Sequence, residues 1–284
     1  MKIARLALLL SALAAAALAA VETDIEYGQV AGASLKLDAC VPDGAGPFPA
    51  VILVHGGGWT TGDKSGGPRK GYMYPMHEPL ERAGFAWFSI NYRLAPQHRY
   101  PACIDDVETA IRWVKANVVK YRIDPRRIAL SGESAGGHLV ALAAVRADET
   151  TRLAAIIPFY GVFDLAAMAA PGESLHRAFV VLFDRQTTDE PTLALLRDAS
   201  PLSAVKPGLP PFLLVHGTAD ATVPLAQSER MQARLRAAGV PCELVTVTNG
   251  VHGMVGWDAV APDYKDRVIV WLVRTLGAGV TFRP

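Results

Sequence analysis

Hydrophobic and polar positions change their period along this chain, and the changes divide it into elements. Ile25-Glu26-Tyr27-Gly28-Gln29-Val30 and Ser34-Leu35-Lys36-Leu37-Asp38-Ala39-Cys40-Val41 alternate apolar with polar residues around Ala31-Gly32. A period of two on either side of a short turn predicts a half-exposed antiparallel hairpin. Pro42-Asp43-Gly44-Ala45-Gly46-Pro47 then breaks the alternation, and Ala50-Val51-Ile52-Leu53-Val54 follows without a polar residue. Such an uninterrupted aliphatic run is expected of a strand covered on both faces. Similar runs at 84–90, 128–131, 153–159, 212–216 and 243–247 predict further strands, and helical patterns at about 103–119, 135–147, 225–239 and 263–276 lie between them.

Strands that alternate with helices imply a mostly parallel sheet wrapped by helices, with functional loops at the carboxyl ends of the strands. One stretch departs from the rhythm. Between Asp164 and Pro201 the chain carries Ala166 to Ala170, Glu173 to Phe183 and Pro191 to Arg197 with no strand among them. A small helical insertion at about 165–200 is expected there, either roofing an active site or serving as an elaborated crossover.

Composition narrows the picture. The 284 residues, 51% hydrophobic, suffice for one large core. The formal net charge of +1 comes from scattered charges of both signs, which excludes a basic surface for nucleic acid. Lys2 and Arg5 precede an apolar run from Leu6 to Ala20, and Ala17-Leu18-Ala19 has the small-x-small form of a signal-peptidase site. The run is shorter than the roughly 20 residues that span a bilayer. Residues 1–19 are therefore expected to be a removable signal, and 20–284 a single exported α/β domain, periplasmic or extracellular. Cys40, Cys103 and Cys242 are widely spaced with no C-x-x-C pair. Either one disulfide forms or all three are buried thiols.

Candidate chemistry begins at Leu130-Ser131-Gly132-Glu133-Ser134-Ala135-Gly136-Gly137, where an apolar run ends and a helical pattern begins. Gly132 to Gly136 fits G-x-S-x-G, whose small residues permit a strand-to-helix turn sharp enough to hold the serine out as a nucleophile. Upstream, the buried strand ending at Val54 runs into His55-Gly56-Gly57-Gly58-Trp59. Successive glycines leave backbone N–H groups bare, as a site for a developing oxyanion requires. The expected donors are the N–H groups of Gly57, Gly58 and Ala135. His55 is expected to shape the loop rather than act as a base. Asn91 to Ala102 reads as a rigid, proline-pinned connection with no evident chemistry.

Taken together, His55-Gly-Gly-Gly-Trp59, Tyr92-Arg-Leu-Ala-Pro96 with Tyr100-Pro-Ala102, Gly132-Glu-Ser-Ala-Gly136, His216-Gly-Thr-Ala-Asp220 and His252-Gly253 make a set. The chain resembles the bacterial α/β-hydrolase esterases related to hormone-sensitive lipase, most closely the exported feruloyl- and acetyl-xylan-esterase-like members. The resemblance runs from about Tyr27 to the end. It implies the α/β-hydrolase fold, an acyl-enzyme mechanism on carboxylic esters, and no cofactor. Glu133 stands where the lipase branch often has Asp, and Gln97 where it often has Glu; both departures bear on substrate rather than mechanism.

Within that frame the acid is expected at Asp220, after the run 211–216, with Asp164 as runner-up. The base is expected at His252, whose flanking glycines let the imidazole turn back toward the serine. The order Ser134, Asp220, His252 is that of α/β-hydrolases. His216 reads as a structural strand-end residue, and His77, His98, His138 and His176 as surface or packing residues. Trp59 and Tyr160 are the expected substrate-binding side chains, with Phe163 and Trp257 as further aromatic candidates. The partner is a small-molecule or polysaccharide-linked ester. No motif points to a metal, a nucleotide, nucleic acid or a membrane span, and none indicates an oligomeric state. The competing functions are a small amidase or peptidase of the same fold, and a binding protein that has lost the chemistry.

Overall fold

The computed structural model describes residues 20–30, 32–68, 70–169 and 175–277, so the expected signal at 1–19 lies outside the described residues. Eight strands form one sheet: β1 (Glu22–Val30), β2 (Ala33–Cys40), β3 (Phe48–Val54), β4 (Ala86–Ile90), β5 (Ile123–Glu133), β6 (Ala155–Phe159), β7 (Phe212–Gly217) and β8 (Cys242–Val247). Their spatial order is β1-β2-β4-β3-β5-β6-β7-β8. β1 pairs with β2, and β2 with β4, antiparallel; every later pairing is parallel.

The helices are α1 (His77–Arg82), α2 (Ala102–Ala116), α3 (Ala135–Arg146), α4 (Arg177–Phe183), α5 (Glu190–Asp198), α6 (Ala226–Ala237), α7 (Trp257–Val260) and α8 (Tyr264–Leu276). Alternation along the central strands sorts their side chains into two cores. Ala50, Ile52 and Val54 of β3 meet Val107 and Ile111 of α2 and Leu139 and Val140 of α3. Val51 and Leu53 face the opposite layer, with Leu80 of α1 and Val268, Trp271 and Leu272 of α8. α2 and α8 are amphipathic, whereas nearly every residue of α3 is buried, so the helix that follows Ser134 lies within the molecule. None of the described helices is long and apolar enough to cross a membrane.

Two differences from the sequence pattern have local causes. α1 was not expected, because its six residues include Pro79; proline is tolerated in a first helical turn, where its missing N–H has no partner to lose. Gly84 and Phe85 close that helix instead of opening a strand: Gly84 adopts φ +77°, and Phe85 N–H donates to Leu80 O at 2.9 Å. The three cysteines are buried, and no disulfide joins them. Burial pushes each thiol up to about 12. Cys40 and Cys242 sit on β2 and β8 with five strands between them, too far apart to bridge.

The sheet register brings the site together. Val54 of β3 lies opposite Gly132 of β5, Glu133 of β5 opposite Phe159 of β6, and His216 of β7 opposite Thr246 of β8. Parallel strands end on the same edge, so the loops after β3, β5, β6, β7 and β8 share one rim.

Candidate active site

Ser134 occupies the turn between β5 and α3 with φ +54° and ψ −117°, a backbone region costing a non-glycine residue on the order of 1–3 kcal/mol. The turn is held because its flanks admit no side chain. A Cβ on Gly136 would lie 2.2 Å from Val54 O, and one on Gly132 would lie 2.6 Å from Gly136 O. Glycine here is a matter of close approach between β3, β5 and α3, and it lifts Ser134 Oγ to the rim.

Ser134 Oγ lies 3.0 Å from His252 Nε2. On the far side of the imidazole, Nδ1–H donates to Asp220 Oδ2 at 2.7 Å, since a carboxylate only accepts. The Asp220 side chain is fully buried there, and its other oxygen accepts N–H groups of Thr222 and Val223, each at 2.9 Å. Burial alone would raise its carboxyl; hydrogen bonding to His216 and His252 and the N–H of Val223 overcome that and hold it well below the usual carboxylate range. His216 is structural: its Nε2–H donates to Val223 O at 2.9 Å while Nδ1 accepts from Ser228 at 2.7 Å. Asp164 is engaged elsewhere, with Arg230 at 3.1 Å and the N–H of Ala167 at 3.0 Å.

The glycine loop is oriented peptide by peptide. A trans peptide points its C=O and the next N–H in opposite directions, so fixing one aims the other. Gly56 O accepts His55 Nδ1–H at 2.8 Å and the Tyr92 hydroxyl at 3.3 Å, which turns Gly57 N–H the other way. Gly57 O accepts the N–H groups of Thr60 and Thr61 at 3.2 and 3.0 Å, which turns Gly58 N–H away from that turn. Gly57 and Gly58 adopt φ +98° and +61° and line the same cavity as Ser134. Ala135 is the first residue of α3, where an N–H has no intrahelical acceptor. His55 is buried, stacked on Tyr92 with ring centres 4.4 Å apart, and burial lowers its pKa to about 4. It shapes the loop, as its position suggested.

The segment that looked merely rigid pins the site by three successive side chains. Asn91 accepts Lys64 N–H at 2.7 Å and donates to Asp63 at 3.1 Å, fixing the root of the loop after β3. Tyr92 holds Gly56 O. Arg93 grips the buried Asp106 of α2 through Nε and Nη2 at 2.8–3.1 Å.

A cavity of about 720 Å3 opens over Ser134. Its walls include Gly62, Gly66, Tyr72 and Pro75 from the loop after β3, and Gly253, Met254 and Val255 after His252. None of the described residues of the 165–200 insertion lines it, and the loop after β3 takes the place expected for a roof. Sequence reasoning missed that loop because Gly62 to Gly71 carries neither period nor motif. Tyr160 does line the cavity, with φ +35° and its ring 4.9 Å from that of His252. Trp59 does not: it is buried, its indole N–H donating to His138 Nδ1 at 3.2 Å while His138 Nε2–H donates to Ala199 O at 2.8 Å. The expected substrate contact at Trp59 is thereby corrected to an anchor that ties the glycine loop to α3. Phe163 and Trp257 are likewise fully buried, outside the cavity lining.

A family model, BD-FAE, matches residues 37–235, a span that includes the glycine loop, Ser134 and Asp220. The chain belongs to the BD-FAE family. Among its relatives, a probable carboxylic ester hydrolase, LipM of Mycobacterium tuberculosis, is 34% identical over 75% of this chain and 51% of its own length. The chain thus spans about half of that relative. A truncated carbohydrate esterase from gut microbiota has a similar structure, with a TM-score of 0.78 and 26% identity over 93% of this chain and 98% of that one. An acetyl ester-xyloside bifunctional hydrolase from Caldicellulosiruptor lactoaceticus gives a TM-score of 0.73 and 25% identity over 88% of this chain and 94% of the other. The BD-FAE chain shares with them the α/β-hydrolase fold.

Proposed function

We propose that this protein hydrolyses carboxylic esters through an acyl-enzyme on Ser134, and that its substrates are acetyl or aromatic (feruloyl-type) esters carried on carbohydrate. The observation that carries the chemistry is the continuous contact from Ser134 Oγ through His252 to a buried Asp220, beside bare N–H groups of Gly57 and Gly58. Ser134 Oγ attacks the ester carbonyl as His252 Nε2 takes its proton, and Asp220 stabilises the imidazolium and fixes the tautomer. The N–H groups of Gly57, Gly58 and Ala135 hold the oxyanion. His252 returns its proton to the departing alcohol, then activates a water that frees the acyl group and restores Ser134.

The substrate half of the proposal is supported by the names of the structural relatives and by the cavity. At about 720 Å3, walled by Tyr72, Pro75, Met254 and Val255, it has the size and apolar character that admit an aromatic acyl group or a sugar ring face. Export belongs to the same reading and rests on residues 1–19; mass determination of the protein in the periplasmic or culture fraction should give a chain starting at Ala20. Hydrolysis of p-nitrophenyl acetate, methyl ferulate and acetylated xylan, each with wild type and Ser134→Ala, tests the function. Turnover by wild type and none above background by the variant is expected. Equal turnover by both would sink the nucleophile, and activity on p-nitrophenyl acetate alone would remove the carbohydrate-ester assignment.

A further inference from the structure

Glu133, the residue before the nucleophile, is 4% exposed and lines the cavity beside Ser134. Its Oε1 accepts the N–H of Gly56 at 2.6 Å. The fit allows no substituent: a Cβ on Gly56 would stand 2.1 Å from that oxygen. Gly56 is thus gripped at both ends, its N–H by Glu133 and its C=O by His55 and Tyr92. That C=O shares a peptide plane with the Gly57 N–H aimed at the oxyanion. Tyr160 lines the same cavity, and its ring lies against that of His252.

We propose that Glu133 is a positioning residue for turnover, its carboxylate clamping the oxyanion loop through Gly56. The inference rests on the ester-hydrolase reading of the site. The groups that face this carboxylate are the N–H of Gly56 in the glycine loop, Tyr160 after β6, His252 after β8 and Tyr92 from the loop after β4. Burial raises the Glu133 carboxyl to about 7, against the opposing pull of Gly56 N–H, His252 and Tyr160. The ionised form is the working one. A charged acceptor holds the Gly56 N–H more firmly than a neutral acid. Its negative charge also favours the imidazolium that forms when Ser134 yields its proton. On protonation the clamp slackens, so turnover falls as Glu133 takes up its proton.

Glu133→Gln keeps an acceptor for Gly56 N–H and removes the titration; Glu133→Ala removes both. The readouts are kcat and KM for p-nitrophenyl acetate from pH 5.5 to 9, and the rate at which a fluorophosphonate labels Ser134 over the same range. In the wild type, log kcat should fall more steeply on the acid side than in Glu133→Gln, since only the wild type loses the Glu133 charge there. In Glu133→Gln, kcat at pH 8 should already lie about tenfold below wild type, because a neutral amide holds the Gly56 N–H no better than the protonated acid does. Glu133→Ala should lose roughly tenfold or more in kcat with KM nearly unchanged, a fraction of what losing a whole oxyanion donor costs. Acid limbs that superimpose in wild type and Glu133→Gln would overturn the proposal, and so would full kcat in a folded Glu133→Ala. If Glu133→Ala does not fold, the Glu133→Gln profile alone decides. A wild type that labels at Ser134 but turns over no ester tells against the ester reading, and the pH dependence of labelling then decides this inference by the same criterion.

Discussion

Replacing Asp220 by Asn tests the triad through a detail specific to this structure. Asp220 Oδ1 accepts two backbone N–H groups, those of Thr222 and Val223, at 2.9 Å each. An asparagine must present its carbonyl oxygen to those donors, because its amide nitrogen would leave both N–H groups facing another donor. The NH2 then faces His252 Nδ1, where Asp220 Oδ2 now accepts at 2.7 Å. Two donors cannot meet, so His252 must take the Nε2–H tautomer, with Nδ1 accepting from the amide. In that state Nε2, 3.0 Å from Ser134 Oγ, has no lone pair with which to take the proton. His216 Nε2, 3.5 Å from Asp220 Oδ2, already donates to Val223 O and offers no escape by flipping the amide. The expected loss in kcat is about 10,000-fold, the scale of a wrong-tautomer triad, or roughly 5 kcal/mol of transition-state stabilisation. KM should barely change, because Asp220 lies beneath the imidazole and outside the cavity lining. Steady-state kinetics with p-nitrophenyl acetate, with circular dichroism confirming the fold, makes the measurement. A kcat within tenfold of wild type would refute the reasoning.

Three further outcomes follow from the same geometry. Tyr92→Phe removes the hydroxyl that meets His55 O at 3.1 Å and Gly56 O at 3.3 Å but leaves the His55 bond to Gly56 O; kcat should fall about tenfold with KM steady, and an unchanged kcat would show that His55 orients the loop alone. Gly136→Ala places a Cβ 2.2 Å from Val54 O and 2.6 Å from His55 O, both backbone atoms at the β3 end, and should cost at least about 2 kcal/mol in urea unfolding, with activity lost in step. His55, His77 and His138 are buried, with burial lowering each to about 4, so the native state binds fewer protons than the unfolded chain between that value and the ordinary imidazole range. Their stabilisation is whole above pH 6.5 and drains away as pH falls toward 4, at up to roughly 3 kcal/mol each; Tm should drop steeply across that window, and His138→Asn should flatten the drop.

Much of the site was legible because its parts carry strong local constraints. Gly132 and Gly136 are written into the sequence by the close approach of three backbones, and they frame the serine at the end of an apolar run. Gly57 and Gly58 adopt positive φ, and their spacing after a buried strand shows it. His252 and Asp220 each follow an apolar run, so the periodicity that finds strands also finds them. Trp59 was misread for a physical reason: an indole beside a glycine loop is as well suited to a core as to a pocket, and only its hydrogen bond to His138 decides between them. The β3–α1 loop escaped notice because an irregular, glycine-rich wall has no periodic signature.

What the sequence by itself determined is therefore the set of strands, the loops that leave them and the chemistry each loop can carry, since these depend on period, turn stereochemistry and residue type over a few neighbours. The tertiary structure alone decided which loops meet. The parallel register sets Val54 beside Gly132 and His216 beside Thr246, and strand order then places Ser134, Asp220 and His252 within hydrogen-bond reach although 118 residues separate the first from the last. It alone turned Asn91, Tyr92 and Arg93 into three pins, two on the loop after β3 and one on α2. The same holds for Glu133, which as a sequence letter is one residue of a common pentapeptide. Its grip on Gly56, 77 residues away, exists only once β3 and β5 lie side by side, because contacts between adjacent parallel strands are fixed by register and not by separation along the chain.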